Sequence, residues 1–319
     1  MKGYILSVDG GGTKTVAVLA SLDGEIVSKS FSGPVNILEN GEKMFKENIK
    51  ESAGKVIKGF EKNIVFSCFG LPAVGEFENS EQVLSEIIEK TIGIKPSLVV
   101  NDVVIGWAGG SLGEDSMHLV AGTGTILYAK KGEKEVRVSG WGSLIGDEGS
   151  AYYIGLEGIR EVTKQLDGRS EKTILTDLIM NHINARIPYQ LIEWVYGLDE
   201  NLRRTEIAKL AILVYEAAKQ NDEKAMEILK RAAFELYECV EAAIKLMNFE
   251  KNIISYSGSV LEKNEIVHSF FEKLVKDRFG NVDIHRSILP PVLGGVVLGM
   301  KKLKIEIKDD TVKKLKASF

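Results

Sequence analysis

Asp9-Gly10-Gly11-Gly12-Thr13-Lys14-Thr15 separates two apolar runs, residues 3–8 before it and 16–20 after it. Two runs of strand length joined by glycines read as a β-hairpin. Three successive glycines let backbone amides approach a ligand and turn through conformations that a side chain forbids. Successive amides in such a turn form an anion-binding nest. Thr13 and Thr15 add hydroxyls, Lys14 adds a positive charge, and Asp9, ending the first strand, can hold a cation through water. A plain glycine-rich turn accommodates the same residues. The loop is not a Walker loop, because G-x-x-x-x-G-K-[ST] does not fit. Nor is it a dinucleotide fingerprint, since a strand follows it where that motif needs a helix.

Working outward, Leu22-Asp23-Gly24 makes a second tight turn into a strand at 25–31. Residues 40–59 and 80–91 carry apolar positions at helical spacing, with short buried strands at 64–70 and 97–100. The second part repeats this order: strands at 118–121, 125–130 and 135–139, helical segments across 148–250, a strand at 253–257, a helix at 263–278, a strand at 282–285, and a glycine-bearing helix at 292–303. Both parts reduce to βββαβαβα, with extra helices inserted in the second. The expectation is an α/β protein of two similar lobes, 1–110 and 111–319, facing across a cleft, with the last helix able to pack back on the first lobe. Ala121-Gly122-Thr123-Gly124-Thr125 fills the slot in the second half that 9–15 fills in the first. Two Gly/Thr hairpins so placed can clamp a polyphosphate from both sides.

Composition narrows the classes. At roughly 150 residues per domain, 319 residues suggest two domains. Forty-one basic against forty-five acidic residues give a net charge of −4, which argues against a nucleic-acid binder working by phosphate neutralisation. The N-terminus carries no pattern of a secretory signal, and the longest nearly apolar run, 288–300, is too short to span a bilayer. Two cysteines, Cys68 and Cys239, make neither a disulfide framework nor a four-thiolate site and fit a reducing cytoplasm.

The hairpins at 9–15 and 121–125, with Tyr256-Ser257-Gly258-Ser259-Val260 and Pro291-Val292-Leu293-Gly294-Gly295, resemble the actin/sugar-kinase/Hsp70 ATPase superfamily. Within it the sequence is most similar to the N-acetylglucosamine kinase branch, which includes the activator ATPases of benzoyl-CoA reductase. The most branch-specific stretch is 140–155, GWGSLIGDEGSAYYIG. The resemblance implies actin-like, ribonuclease H-like lobes and use of ATP with Mg²⁺, which keeps most of its waters and takes few protein ligands. It implies ATP contacts from Gly10, Gly11, Gly12, Thr13, Lys14, Thr15, Gly122, Thr123, Gly124, Ala208, Gly258 and Ser259, with Asp9 reaching the metal through water. Sugar contacts fall to Asn36, Asn101, Asp102, Gly140, Trp141, Gly142 and Asp147, and the catalytic base to Asp102.

Some of these residues carry simpler readings. Asp102 sits at a strand end and can merely cap the next helix, Asn36 can belong to a plain turn, and Ser150 is a plausible helix N-cap. Pro72, in Phe69-Gly70-Leu71-Pro72-Ala73, departs from the Gly-Leu-Ala-Gly turn that relatives often carry. The activators hold an iron–sulfur cluster through cysteines, whereas Cys68 and Cys239 read as core. The expected activity is therefore ATP-dependent phosphorylation of a hexose or N-acetylhexosamine hydroxyl, the 6-hydroxyl first, by a homodimeric enzyme. The rival is a nucleotide-driven switch acting on a partner protein.

Overall fold

Along the first strand, side chains alternate between two buried faces, and this alternation organises the first half of the molecule. The computed structural model describes residues 3–319. Strands β1 (Tyr4–Gly10), β2 (Thr15–Ser21), β3 (Ile26–Ser32), β4 (Ile64–Leu71) and β5 (Leu98–Asn101) form one sheet in the order β3-β2-β1-β4-β5. β1 runs antiparallel to β2 and parallel to β4. Leu6 and Val8 enter a core with residues of α1 (Ile37–Ile49), of α2 (Lys55–Ile57) and of α3 (Ser80–Ile92). Ile5 and Ser7 point the other way, toward α13 (Pro291–Lys302), where Gly299 and Gly295 leave room for them. Ser7 also donates to the Val292 carbonyl at 2.6 Å. A strand covered on both faces reads as an unbroken apolar run, which is why the sequence shows no polar–apolar alternation there.

α13 packs against α4 (Asp102–Ser111) as well as the sheet. Gly294 makes that crossing possible: a Cβ there would collide with the Ile105 carbonyl and stand 2.5 Å from the Gly109 nitrogen. The last helix, α14 (Asp309–Ser318), lies on β3, with Lys314 3.0 Å from Asp23 and Lys29 over the ring of Phe319.

The second half contains β6 (Ser116–Ala121), β7 (Thr125–Lys131), β8 (Lys134–Ser139), β9 (Asn252–Ser257) and β10 (Val282–Arg286). They form a sheet in the order β10-β9-β6-β7-β8, the same relative order as in the first sheet. Between β8 and β9 lie α5 (Ala151–Leu166), α6 (Ile174–His182), α7 (Tyr189–Gly197), α8 (Glu200–Lys209), α9 (Ala211–Lys219) and α10 (Glu223–Met247); α11 (Ser259–Lys263) and α12 (Glu265–Phe279) separate β9 from β10. Asp222 caps α10 by accepting from Ala225 N, and its other oxygen accepts from Thr173 and Ile174 at the start of α6.

By contact, the chain divides into two units: the residues up to His118 together with Ser287–Phe319, and Leu119–Arg286. The expected boundary at 110/111 falls before α4 ends and β6 begins, and 287–319, grouped with the second lobe from sequence, packs inside the first unit. The expected single helix at 40–59 is interrupted by Gly41 at φ +77° and by a π-helical turn, Lys50–Gly54.

Candidate active site

In the first unit, residues 9–15 are the expected hairpin. Gly10 pairs with Thr15, and Gly11 N donates to Lys14 O at 2.9 Å. Gly12, Thr13 and Lys14 are exposed at its tip. The steric reason for the glycines differs from the expected one, because none of the three lies in the left-handed region. Gly10 is required by close approach, with a Cβ colliding with Val35 and standing 2.8 Å from Leu71; Gly12 meets nothing nearer than 3.6 Å. Thr15, expected among the phosphate donors, is fully buried, and its hydroxyl donates to Gly33 O at 2.7 Å. It ties the hairpin to the loop after β3.

Asp9 and Asp102 come together in this unit. Burial, reinforced by the negative charge of Asp102 and opposed by Lys14, pushes the Asp9 carboxyl up to about 7. The cap of α4 is Asn101, not Asp102: Asn101 Oδ1 accepts from Val103 N at 3.2 Å and Nδ2 donates to Val74 O at 3.1 Å. That second bond ties the site to the turn after Pro72, where Ala73 stands at φ +67°. Asn36 is likewise an N-cap, accepting from Leu38 N at 3.1 Å, and is 9% exposed. Two asparagines expected to touch sugar thus also end local structure.

In the second unit the hairpin at 121–125 is braced by three elements. Ala151 N and Tyr152 N, at the start of α5, donate to the carbonyls of Gly122 and Thr123 at 2.8 and 3.3 Å. Ser150, as expected, caps that helix, accepting from Tyr153 N at 3.1 Å. The hairpin carbonyls therefore satisfy amides that a helix terminus otherwise leaves to water. Gly258, at φ +100°, packs against Ala121 and Gly122 so closely that a Cβ would stand 2.8 Å from Gly122 N. Asp147 and Arg204 form the third brace. Gly124 has no space for a Cβ because Arg204 Nη2 and Asp147 Oδ1 occupy it, whereas Gly122 is open.

Next to this hairpin is a cavity of about 270 Å³. Thr123, Ala208 and Ser259 line it together, although they lie on the hairpin, on α8 and on α11. Ile212, Tyr215 and Lys263, not anticipated from the sequence, line it too. Ala208, Ala211, Ile212 and Tyr215 follow helical spacing, so their pattern reads as core, and only packing shows the open side.

The 140–149 loop holds Gly140 and Gly142 at φ +75° and +85° and leaves Trp141 72% exposed. Asp147, expected at the sugar, has both oxygens engaged within the protein. It is 2% exposed at φ +62°, with Oδ1 accepting from Thr125 N at 3.1 Å and Oδ2 held by Arg204 at 2.6 Å. No sequence motif points to Arg204.

The donor set fits a phosphate-borne Mg²⁺. Two carboxylates with mutually unfavourable charge stand together, and among the described residues no group of three or more His, Cys, Asp or Glu could hold a metal by itself. Mg²⁺ takes one or two carboxylates and leaves its other positions to water and phosphate. Cys68 and Cys239 are unpaired and buried, and burial pushes both thiols up to about 12. Among the described residues no helix is long and apolar enough to cross a membrane.

Two like-ordered mixed sheets, each with a Gly/Thr hairpin between its first two strands, define an actin-like α/β ATPase fold. The chain belongs to the BadF/BadG/BcrA/BcrD ATPase family, whose model matches residues 6–299. It is 30% identical over 302 residues to the N-acetylmuramic acid/N-acetylglucosamine kinase of Clostridium acetobutylicum, covering 92% of this chain and 97% of that one. It is 27% identical to the N-acetyl-D-glucosamine kinase of Dictyostelium discoideum, covering 95% and 99%. Among solved structures, a Chromobacterium violaceum protein provisionally named N-acetylglucosamine kinase shares the fold, with a TM-score of 0.73, 19% identity and coverage of 93% and 98%.

Proposed function

We propose that this protein is an ATP-dependent carbohydrate kinase that phosphorylates N-acetylglucosamine or a closely related hexosamine or hexose, at the 6-hydroxyl. The observation that carries the reading is the placement of Asp102. It ends the β5 edge of the sheet beside Asp9, while its neighbour Asn101 does the capping that would otherwise account for an acidic residue there. The two curated relatives described above, both named as sugar kinases over nearly their whole length, support the same reading.

In this reading the second unit holds the nucleotide. The cavity lined by Ala208, Ser259 and Tyr215 takes the base and ribose, and the 121–125 hairpin, whose Thr123 lines the same cavity, serves the phosphates. In the first unit, exposed Gly12 and Thr13 offer amides and a hydroxyl, with Lys14 adding charge. Asp9 would help hold Mg²⁺ through water, and the bound ion would supply neutralisation of developing phosphate charge. Asp102 accepts the proton of the attacking sugar hydroxyl, and Asn36 and Asn101, beyond their capping bonds, orient that sugar. Phosphoryl transfer asks little more of the protein than positioning and charge stabilisation. The reading extends to a cytoplasmic enzyme, supported by the two unpaired buried thiols, and to a homodimer, supported by Phe234 and Leu246 standing exposed on α10.

The test is a coupled assay with Mg–ATP and a panel of N-acetylglucosamine, N-acetylmuramic acid, N-acetylmannosamine, glucosamine and glucose, with a no-sugar control. Turnover that depends on one of these sugars is expected, with product phosphate on O6 by NMR. ADP release that ignores sugar would favour the ATPase-switch alternative instead.

A further inference from the structure

Arg204 is a charged side chain of the second unit that holds the nucleotide-side hairpin. Its Nη2 lies 2.6 Å from Asp147 Oδ2 and fills the space beside Gly124. The other Asp147 oxygen accepts from Thr125 N. One carboxylate therefore joins three stretches far apart in sequence: the 121–125 hairpin, the 140–149 loop and α8. With 2% exposure and both oxygens engaged, Asp147 is built as a bridge. The residues that follow Arg204 on the same helix, Thr205, Ala208 and Lys209, line the cavity. α8 thus presents one residue to the hairpin and the next ones to whatever fills the cavity. Two buried polar atoms at this junction, Arg204 Nε and Thr125 Oγ1, have no hydrogen-bond partner.

We propose that Arg204 is a positioning residue that sets the 121–125 hairpin for the nucleotide's phosphates through Asp147, so that filling the cavity against α8 and shaping the hairpin are one event. The proposal rests on the cavity being a nucleotide site. Arginine suits the task because its planar fork holds a carboxylate and keeps further donors in fixed directions, which a lysine does not.

The experiment compares the full-length wild type with Arg204→Lys, Arg204→Gln, Asp147→Asn and the Arg204→Gln/Asp147→Asn double variant. Mg–ADP binding is measured by calorimetry, and KM and kcat by the coupled assay. Coupling of this kind is typically worth about 5–150-fold. Arg204→Gln is expected to weaken Mg–ADP binding and raise the ATP KM by about tenfold, with the sugar KM held within about twofold; Arg204→Lys should lose less. The double variant should bind no worse than the weaker single one, because both remove the same bridge. Wild-type Mg–ADP affinity in Arg204→Gln would overturn the proposal. So would additive losses of Mg–ADP affinity in the double variant, or a raised sugar KM with nucleotide binding intact in Arg204→Gln. If Arg204→Gln does not fold, Arg204→Lys and Asp147→Asn decide the matter by their Mg–ADP affinity. A wild type that binds Mg–ADP but phosphorylates no sugar overturns the kinase reading alone, and calorimetry still judges Arg204.

Discussion

At the scale of single residues, the two carboxylates of the first unit make opposite demands. Asp102→Asn keeps shape and a hydrogen-bonding group but removes the proton acceptor. General-base catalysis is worth about 10²–10⁴-fold, so kcat should fall by that order while Mg–ADP affinity holds. Since Asn101 is the cap of α4, the melting temperature should barely move. Wild-type turnover in Asp102→Asn, with sugar saturating, would remove Asp102 from the chemistry. Asp9 reports through stability. Its carboxyl is raised from 3.8 to about 7 by burial and by Asp102, so the folded protein binds this proton more tightly than the unfolded chain does. The contribution to stability is fully present below about pH 4 and is lost as pH rises through about 7. In the absence of nucleotide and Mg²⁺, wild type should therefore lose more stability between pH 5 and pH 8 than Asp9→Asn does. Parallel stability–pH curves for the two proteins would show that Asp9 is not shifted.

At the scale of elements, the closest helix crossing sets a sharp steric test. A Cβ on Gly294 meets backbone atoms of α4, which cannot swing aside as a side-chain tip can. Overpacking costs about 1–3 kcal/mol and sometimes more. Gly294→Ala should reach at least the upper part of that range by urea unfolding. Gly197→Ala, with nothing within 4 Å, should be neutral or slightly stabilising. Equal stability of the two variants would mean that α13 and α4 can separate at little cost. The motif Pro291-Val292-Leu293-Gly294-Gly295, which marks the family in sequence, thus has a packing reason: its glycines let one helix reach both α4 and the face of β1 that carries Ser7.

For the whole molecule, the discontinuous first unit is the consequential feature. Val292, Leu293, Val296, Val297 and Met300 are each at most 1% exposed, and all come from the chain's far end. Burying a large apolar side chain is worth about 1.5–3 kcal/mol, so losing five exceeds much of a typical domain's stability of about 5–15 kcal/mol. A chain ending at Arg286 should lose hydrogen-exchange protection in β1 and β2. Peptides from α10 and β9, which belong to the contiguous unit, should keep theirs. Protection of β1 surviving that truncation would contradict the importance assigned to α13.

The strands and both hairpins were legible along the chain, because side-chain periodicity and glycine turns act over a few residues, whereas the order of the strands in each sheet came from the structure. The same local logic found the Ser150 cap and the loop at 140–149. It did not separate Asn101 from Asp102 as the cap of α4, since a one-residue choice depends on where the backbone first turns helical. It gave Thr15 a ligand role that the Gly33 carbonyl takes instead. It also passed over Arg204, Tyr215 and Lys263, whose helical spacing looks the same whether they face a core, a cavity or water. Local spacing fixes which elements form, but which distant side chains meet, and whether the space between them stays open, is decided only when those elements pack.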